Sequence, residues 1–256
     1  MNATTLLSPA HKIAPAVVSK SIAACSQCSL SAICMPLALS ADEMAQLDSL
    51  IGAPRLIPRR HQLYHHGEVF KAVYVVKSGC FKTDVTGSDG HEQVVGFQMM
   101  GELLGMDGIS REIHTCNAVA LEDSQVCAIH FDKLEILASE IPRLQRHFHK
   151  LMSREIVRDH GIMMLLGTMC ARERLAAFLL NLSQRFAARG YSATDFHLLM
   201  NREEIGSYLG LKLETVSRAL SSFQDENLIT VNLKHILIID INRLKTALGR
   251  ATEYYI

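Results

Sequence analysis

The spacing of apolar residues changes near residue 131 of this 256-residue chain, and that change limits the possible folds more than any other feature. Residues 72–76, 81–85, 93–99, 115–121 and 125–131 are short runs rich in β-branched and aromatic residues. Turn formers separate them: Gly79, then Gly87 to Gly90, then Glu122-Asp123-Ser124. Short strands at regular spacing predict an antiparallel roll or barrel. Beyond residue 131 the apolar residues recur at helical intervals instead. Strands followed by helices give an α+β chain.

On the helical side, Asp132 is placed to cap a short helix, and Pro142 sits at the first turn of a long one reaching about Gly167. A helix over residues 172–188 ends at Gly190. Two short helices, a hairpin (residues 228–231 and 236–239) and a final helix follow. Upstream, Asp42 is placed to cap a short helix through Leu50, and residues 1–20 show no period. The resulting division is 1–40, 41–140, 141–168 and 169–256.

The seven cysteines are odd in number, and only Cys25, Cys28 and Cys34 cluster. A secreted disulfide framework does not look like this; one metal or redox constellation in a reducing cytoplasm does. Thiolates so close together on a loop, closed by Met35-Pro36, can point at one metal centre. The apolar stretch at residues 161–171 is too short to span a bilayer. Lys+Arg and Asp+Glu both number 26, so attraction to nucleic acid must come from local contacts.

Such a local surface lies near the end of the chain. Residues 202–210 predict a helix with Ile205 and Leu209 inward, and Gly210 permits a tight turn. In the next helix, residues 213–224, Val216, Leu220 and Phe223 form one face; Glu214, Ser217, Arg218 and Ser221 form the other. That is the layout of a recognition helix, and the hairpin after it is placed as a wing. Arg218 can bridge both acceptors of a guanine, and Glu214 can accept from a cytosine amine.

Within the long helix, Met152, Ile156, Asp159, Met163 and Leu166 recur at the 4-3-4-3 spacing of a seam between two helices. Asp159 breaks its apolar run. Two carboxylates facing each other across a two-fold seam repel and lose hydration, so this position weakens a homodimer. Arg143, Arg146, Lys150, Arg154 and Arg158 are expected on solvated faces, as are the pairs His65-His66 and His147-x-His149.

These parts, in this order, resemble the CRP/FNR superfamily, and within it the oxygen-responsive fumarate and nitrate reduction regulators. The resemblance is carried by the cysteine loop, by Glu173-Arg-Leu-Ala-Ala-Phe178 with Asn181-Leu-Ser183, and by Tyr208-Leu-Gly-Leu211 leading into Glu214-Thr-Val-Ser-Arg218. It implies an N-terminal β-roll, a long dimerisation helix and a C-terminal winged helix-turn-helix. It also implies Glu214, Ser217 and Arg218 as readers of TTGAT-type half-sites in palindromic double-stranded DNA, and contact with RNA polymerase, for which the turn at Gly87 to Gly90 resembles an activating loop.

The resemblance further implies a [4Fe–4S] cluster on three N-terminal cysteines and one from the roll. Spacing alone leaves Cys80, Cys116, Cys127 and Cys170 open as the fourth. The family's Val-Cys-x-Ile setting matches Val126-Cys127-Ala-Ile129, with Cys116 the rival; the three remaining cysteines are then expected to be buried packing residues. On this reading the cluster permits dimerisation without oxygen, and its loss in air returns the chain to a monomer that no longer holds DNA.

A zinc- or thiol-based redox regulator is the alternative on the same scaffold. A cyclic nucleotide is not expected: His114-Thr115 stands where an arginine and a hydroxyl would hold its phosphate, and a neutral imidazole is a poor substitute. Gly101 and Glu102 are then fold residues. No catalytic motif and no ferredoxin-type spacing is present, so an enzyme or electron carrier is not expected.

Overall fold

The computed structural model describes Cys25, Cys28, Cys34 and residues 39–87 and 89–249. The reading of residues 1–20 and the closure of the cysteine loop at Met35-Pro36 lie outside them.

The roll opens with α1 (Ala41–Leu50), followed by β1 (Arg55–Ile57), β2 (Gln62–Tyr64), β3 (Ala72–Ser78), β4 (Cys80–Thr86), β5 (Glu92–Met99), β6 (Leu103–Leu104), β7 (Asn117–Ala120) and β8 (Ser124–His130). Two four-stranded antiparallel sheets form, in the orders β1-β8-β3-β6 and β2-β7-β4-β5. The pleat divides β3 and β8 between two cores. Val76 and Val126 pack between the sheets with Tyr64 and Phe81. Val73, Val75 and Ile129 point the other way, onto a helical layer.

That layer consists of α1, α2 (Phe131–Glu140) and the start of α3 (Pro142–Thr168), through Leu47, Leu134, Leu137 and Leu144. Pro142 opens α3 as its fixed φ and missing N–H favour, and the 27-residue helix runs unbroken. Near its end Leu165 enters a third core, shared with α4 (Ala171–Ala187).

The C-terminal part contains α4, β9 (Asp195–His197), α5 (Arg202–Leu209), α6 (Leu213–Asp225), β10 (Ile229–Asn232), β11 (His235–Ile238) and α7 (Ile241–Thr246). Its sheet has the order β10-β11-β9. Leu175, Leu179, Ile205, Leu209, Val216, Leu220 and Phe223 fill the core of this unit. Asn201 caps α5 reciprocally with Glu204, at 2.8 Å in each direction. The turn into α6 needs its glycines: a Cβ on Gly206 would lie 2.6 Å from the Leu211 carbonyl oxygen, and Gly210 has φ +61°.

Several local expectations need correction. The cap of α1 is Ser40, whose hydroxyl accepts from the Glu43 amide at 3.2 Å, leaving Asp42 inside the first turn. His130, not Asp132, is the N-cap of α2, because β8 runs directly into the helix with no turn between. Strands β1, β2, β6 and β9, each of two or three residues, were not expected.

Candidate functional site

Cys127 lies on β8 opposite Val75 and shares its face with Ile129. Cys25 and Cys34 pack onto the same apolar cluster. The Cys25 amide donates to Asp48 Oδ1 of α1 at 2.6 Å, and the Cys28 amide donates to the Cys25 carbonyl at 3.1 Å. Burial pushes the Cys25 thiol up to about 12, with Asp48, Cys127 and Cys28 adding repulsion against its ionised form. Cys34 is also pushed up to about 12, by burial and then by Cys25, Cys127 and Cys28. Cys127 is raised by burial, with Lys77 opposing.

The thiols of Cys25, Cys34 and Cys127 are thus hard to ionise together unless positive charge is brought among them. Among the described residues, no three His, Cys, Asp or Glu side chains converge as ligands of a single ion.

Cys116 stands elsewhere, packed between the sheets. Burial, with the Asp107 carboxylate beside it, raises its thiol. Cys80 is fully buried and pushed up to about 12 by burial. Cys170 contradicts the expected burial: it is exposed at the N-cap of α4, where its amide donates to Glu173 Oε2 at 2.7 Å.

His147 of α3 also departs from its expected solvated face. It is buried, and its Nε2 lies 3.3 Å from the Cys34 carbonyl oxygen. Burial, reinforced by Arg154 and Lys150, holds its pKa below the usual histidine value, although the Cys34 bond opposes this.

On α3, Ile156, Asp159, Met163 and Leu166 are exposed in the single chain and Met152 is half-buried. Val157 and Met164 extend this exposed apolar surface. Arg158 is not solvated as expected: it pairs with Glu155 and lies 3.9 Å from Glu102.

Glu102 belongs to the turn after β5. Its carboxylate accepts from Arg185 Nε at 3.0 Å and Nη2 at 2.6 Å, and from Arg189 Nη2 at 2.6 Å. Burial alone would raise its pKa, but the guanidiniums of Arg185, Arg189 and Arg158 outweigh this and hold it below the ordinary glutamate value. The roll, the long helix and α4 therefore meet at one carboxylate. Strand β5 adds to this contact: the Val94 amide donates to Ser207 Oγ at 2.8 Å, and Phe97 lies 5.1 Å from the Tyr208 ring.

The Asp107 carboxylate fills a ring of donors inside the roll. It accepts from the Thr115 amide at 2.7 Å and the Cys116 amide at 3.2 Å. The buried His114, stacked on Tyr64 at 3.7 Å, is 3.3 Å away through Nδ1.

In α6, Glu214 and Arg218 are exposed, while Ser217 is half-buried and accepts from Arg202 Nη1 at 3.1 Å. Val216, Leu220 and Phe223 are buried on the opposite face.

The parts played by Glu102, His147 and Asp107 were missed in the sequence. Arg185 in the last turn of α4 and Arg189 just past its end ask for an acidic partner, but nothing local says which. Asp107 lies between Gly105 and Gly108, a turn signal that does not show what the carboxylate meets.

Comparison with known proteins gives a consistent result. Residues 173–247 match the Crp-like helix-turn-helix domain, and residues 54–140 match the cyclic nucleotide-binding domain. The chain is 45% identical over 233 residues to the transcriptional regulatory protein btr of Bordetella pertussis, covering 91% of this chain and 96% of that one. It is 43% identical over 214 residues to the fumarate and nitrate reduction regulatory protein of Yersinia pestis, covering 84% and 86% respectively. The structure of FixK2 from Bradyrhizobium japonicum superposes with a TM-score of 0.70 at 30% identity, covering 76% of this chain and 96% of that one.

Proposed function

Because this chain belongs to the CRP/FNR family of transcription regulators, we propose that it is an oxygen-sensing regulator that reads palindromic TTGAT-type DNA as a homodimer, controlled by a [4Fe–4S] cluster held by Cys25, Cys28, Cys34 and Cys127. The gathering of these four thiols against one face of the roll, with Cys116 packed between the sheets instead, carries the reading. Four thiolates are the usual ligand set of such a cluster, one to each iron. Such a centre supplies an oxidisable group whose positive charge keeps the four thiols ionised.

Cys127 offers the fourth thiol from β8, Asp48 holds the Cys25 backbone and His147 holds that of Cys34. Cys25 and Cys34 pack in one apolar cluster with Leu144 and Phe148 at the start of α3. That packing offsets the repulsion of the two Asp159 carboxylates when Met152, Ile156, Met163 and Leu166 meet their copies. Were the thiol centre lost, the offset would go with it, the chains would part, and two recognition helices would no longer sit one DNA turn apart.

Glu214, Ser217 and Arg218 read the bases, and the turn around Gly87 to Gly90 is the surface for RNA polymerase. A cyclic nucleotide has no part in this reading, since a phosphate would have to displace the Asp107 carboxylate from its donors.

The test is purification without oxygen, iron and sulfide analysis, and binding to a TTGAT palindrome before and after air. Four irons and four sulfides per chain are expected, with tight binding lost in air. Selective operator binding by metal-free protein, unchanged by air, would overturn the reading.

A further inference from the structure

Helical spacing places residue 147 of α3 against apolar neighbours. Leu144, Phe148 and Leu151 flank it, and they line with His147, Val73 and Cys34 a small space between α3 and the roll. Among the described residues, an apolar side chain would satisfy every neighbour except one. The exception is the Cys34 carbonyl, 3.3 Å from His147 Nε2. A carbonyl oxygen only accepts, so Nε2 carries the proton and donates. His147 is 7% exposed, so water cannot readily replace this acceptor.

The two ends of the cysteine loop are thus fixed by different helices. The Cys25 backbone is tied to α1 through Asp48, and the Cys34 backbone to α3 through His147. The first tie stays within the roll layer. The second reaches the helix that carries the exposed seam, and Met152 follows His147 by about 7 Å along the axis at 1.5 Å per residue.

We infer that His147 is a positioning residue that transmits the state of the cysteine loop to the dimerisation seam. The inference rests on the proposed thiol centre and names the link by which it acts. With Cys34 in place, the buried imidazole N–H is bonded and α3 lies against the roll. If Cys34 leaves, that N–H is stranded among Val73, Leu144 and Leu151, and an unpaired buried donor is costly. The least costly relief is for the first turns of α3 to shift until the imidazole reaches water. Because α3 has no interior proline, the shift is passed along a continuous helix to Met152 and Ile156.

The test uses the full chain as wild type, His147→Leu and His147→Gln, prepared without oxygen and matched for iron and sulfide. Leucine keeps apolar volume without a donor; glutamine keeps a donor. His147→Met replaces the leucine variant if that does not fold. Sedimentation equilibrium gives the dimer dissociation constant of each protein, loaded and metal-free. The ratio of the two constants is expected to fall about tenfold in His147→Leu and to return to within about threefold of wild type in His147→Gln.

A His147→Leu protein with full iron and the wild-type ratio overturns this inference while leaving the proposed function standing. A wild-type ratio of one overturns both. A second reading needs no metal: iodoacetamide labelling of Cys34 in metal-free protein, followed by mass spectrometry. About tenfold faster labelling is expected in His147→Leu and not in His147→Gln; equal rates in all three also overturn it.

Discussion

Glu102 Oε2 lies 2.6 Å from Arg185 Nη2, joining residues 83 positions apart in the chain and tying the roll to the helix that carries the DNA reader. Arg189, just beyond the end of the same helix, completes the grip with a side chain only 5% exposed.

Replacing Glu102 with glutamine leaves two partly buried guanidiniums without their carboxylate. Breaking such a pair on one side costs about 3 kcal/mol, which lowers Tm by roughly 10 °C for a chain of this size. The wild-type pH dependence follows from the direction of the shift. The folded-state pKa of Glu102 lies below the ordinary value. Its contribution is therefore fully present above about pH 4.3 and is lost as the pH falls through the lower folded value. Thermal melts between about pH 3 and 7 should show a smaller acid-limb decline in E102Q. An unchanged Tm at neutral pH would show that Arg185 and Arg189 do not depend on this carboxylate.

Replacing Asp159 with alanine removes the one charge from the predicted seam. The variant is expected to sediment as a dimer in air, and the wild type as a monomer. The gain corresponds to a few kcal/mol, on the order of a hundredfold or more in the dimer constant. A purely monomeric D159A protein in air would exclude carboxylate repulsion as the brake.

The sides of the roll on which Cys127 and Cys116 lie lead to opposite outcomes. Cys127→Ser should abolish the broad visible absorption of the protein purified without oxygen. Cys116→Ser, packed between the sheets beside Asp107, should retain it. The reverse pattern would move the fourth ligand into the interior of the roll.

Arg218→Ala, on the exposed face of α6, should weaken binding to the intact palindrome by about 1–3 kcal/mol and flatten discrimination at a single base pair. Titrations against half-sites altered one position at a time check this. A uniform loss at every position would instead assign Arg218 to the phosphate backbone.

The architecture was largely readable because its signals are local and repeated. Pro142 marked the start of α3, Gly210 marked the helix-turn-helix, and the alternation around β3, β4 and β5 marked the roll. Strands of two or three residues, such as β1 and β6, are too short to show a period and exist because longer strands pair with them. Cap positions erred by one or two residues, since Ser40 and Asp42 both have capping side chains and only the path of the chain chooses between them. In the candidate site, the residue types were readable but not their partners. Arg158 and His147 look like surface residues of a long helix; Glu102 and Cys34, both remote in sequence, make them otherwise.

Strand β5 is the outer strand of its sheet, and outer strands offer unpaired backbone to any neighbour. Here the Val94 amide is taken by Ser207, and Phe97 is roofed by Phe178 and Tyr208. The DNA-reading unit therefore doubles as a lid over an otherwise sticky edge. A fragment ending after the long helix would lay that edge bare, and self-association through β5 would follow without any change in the roll itself.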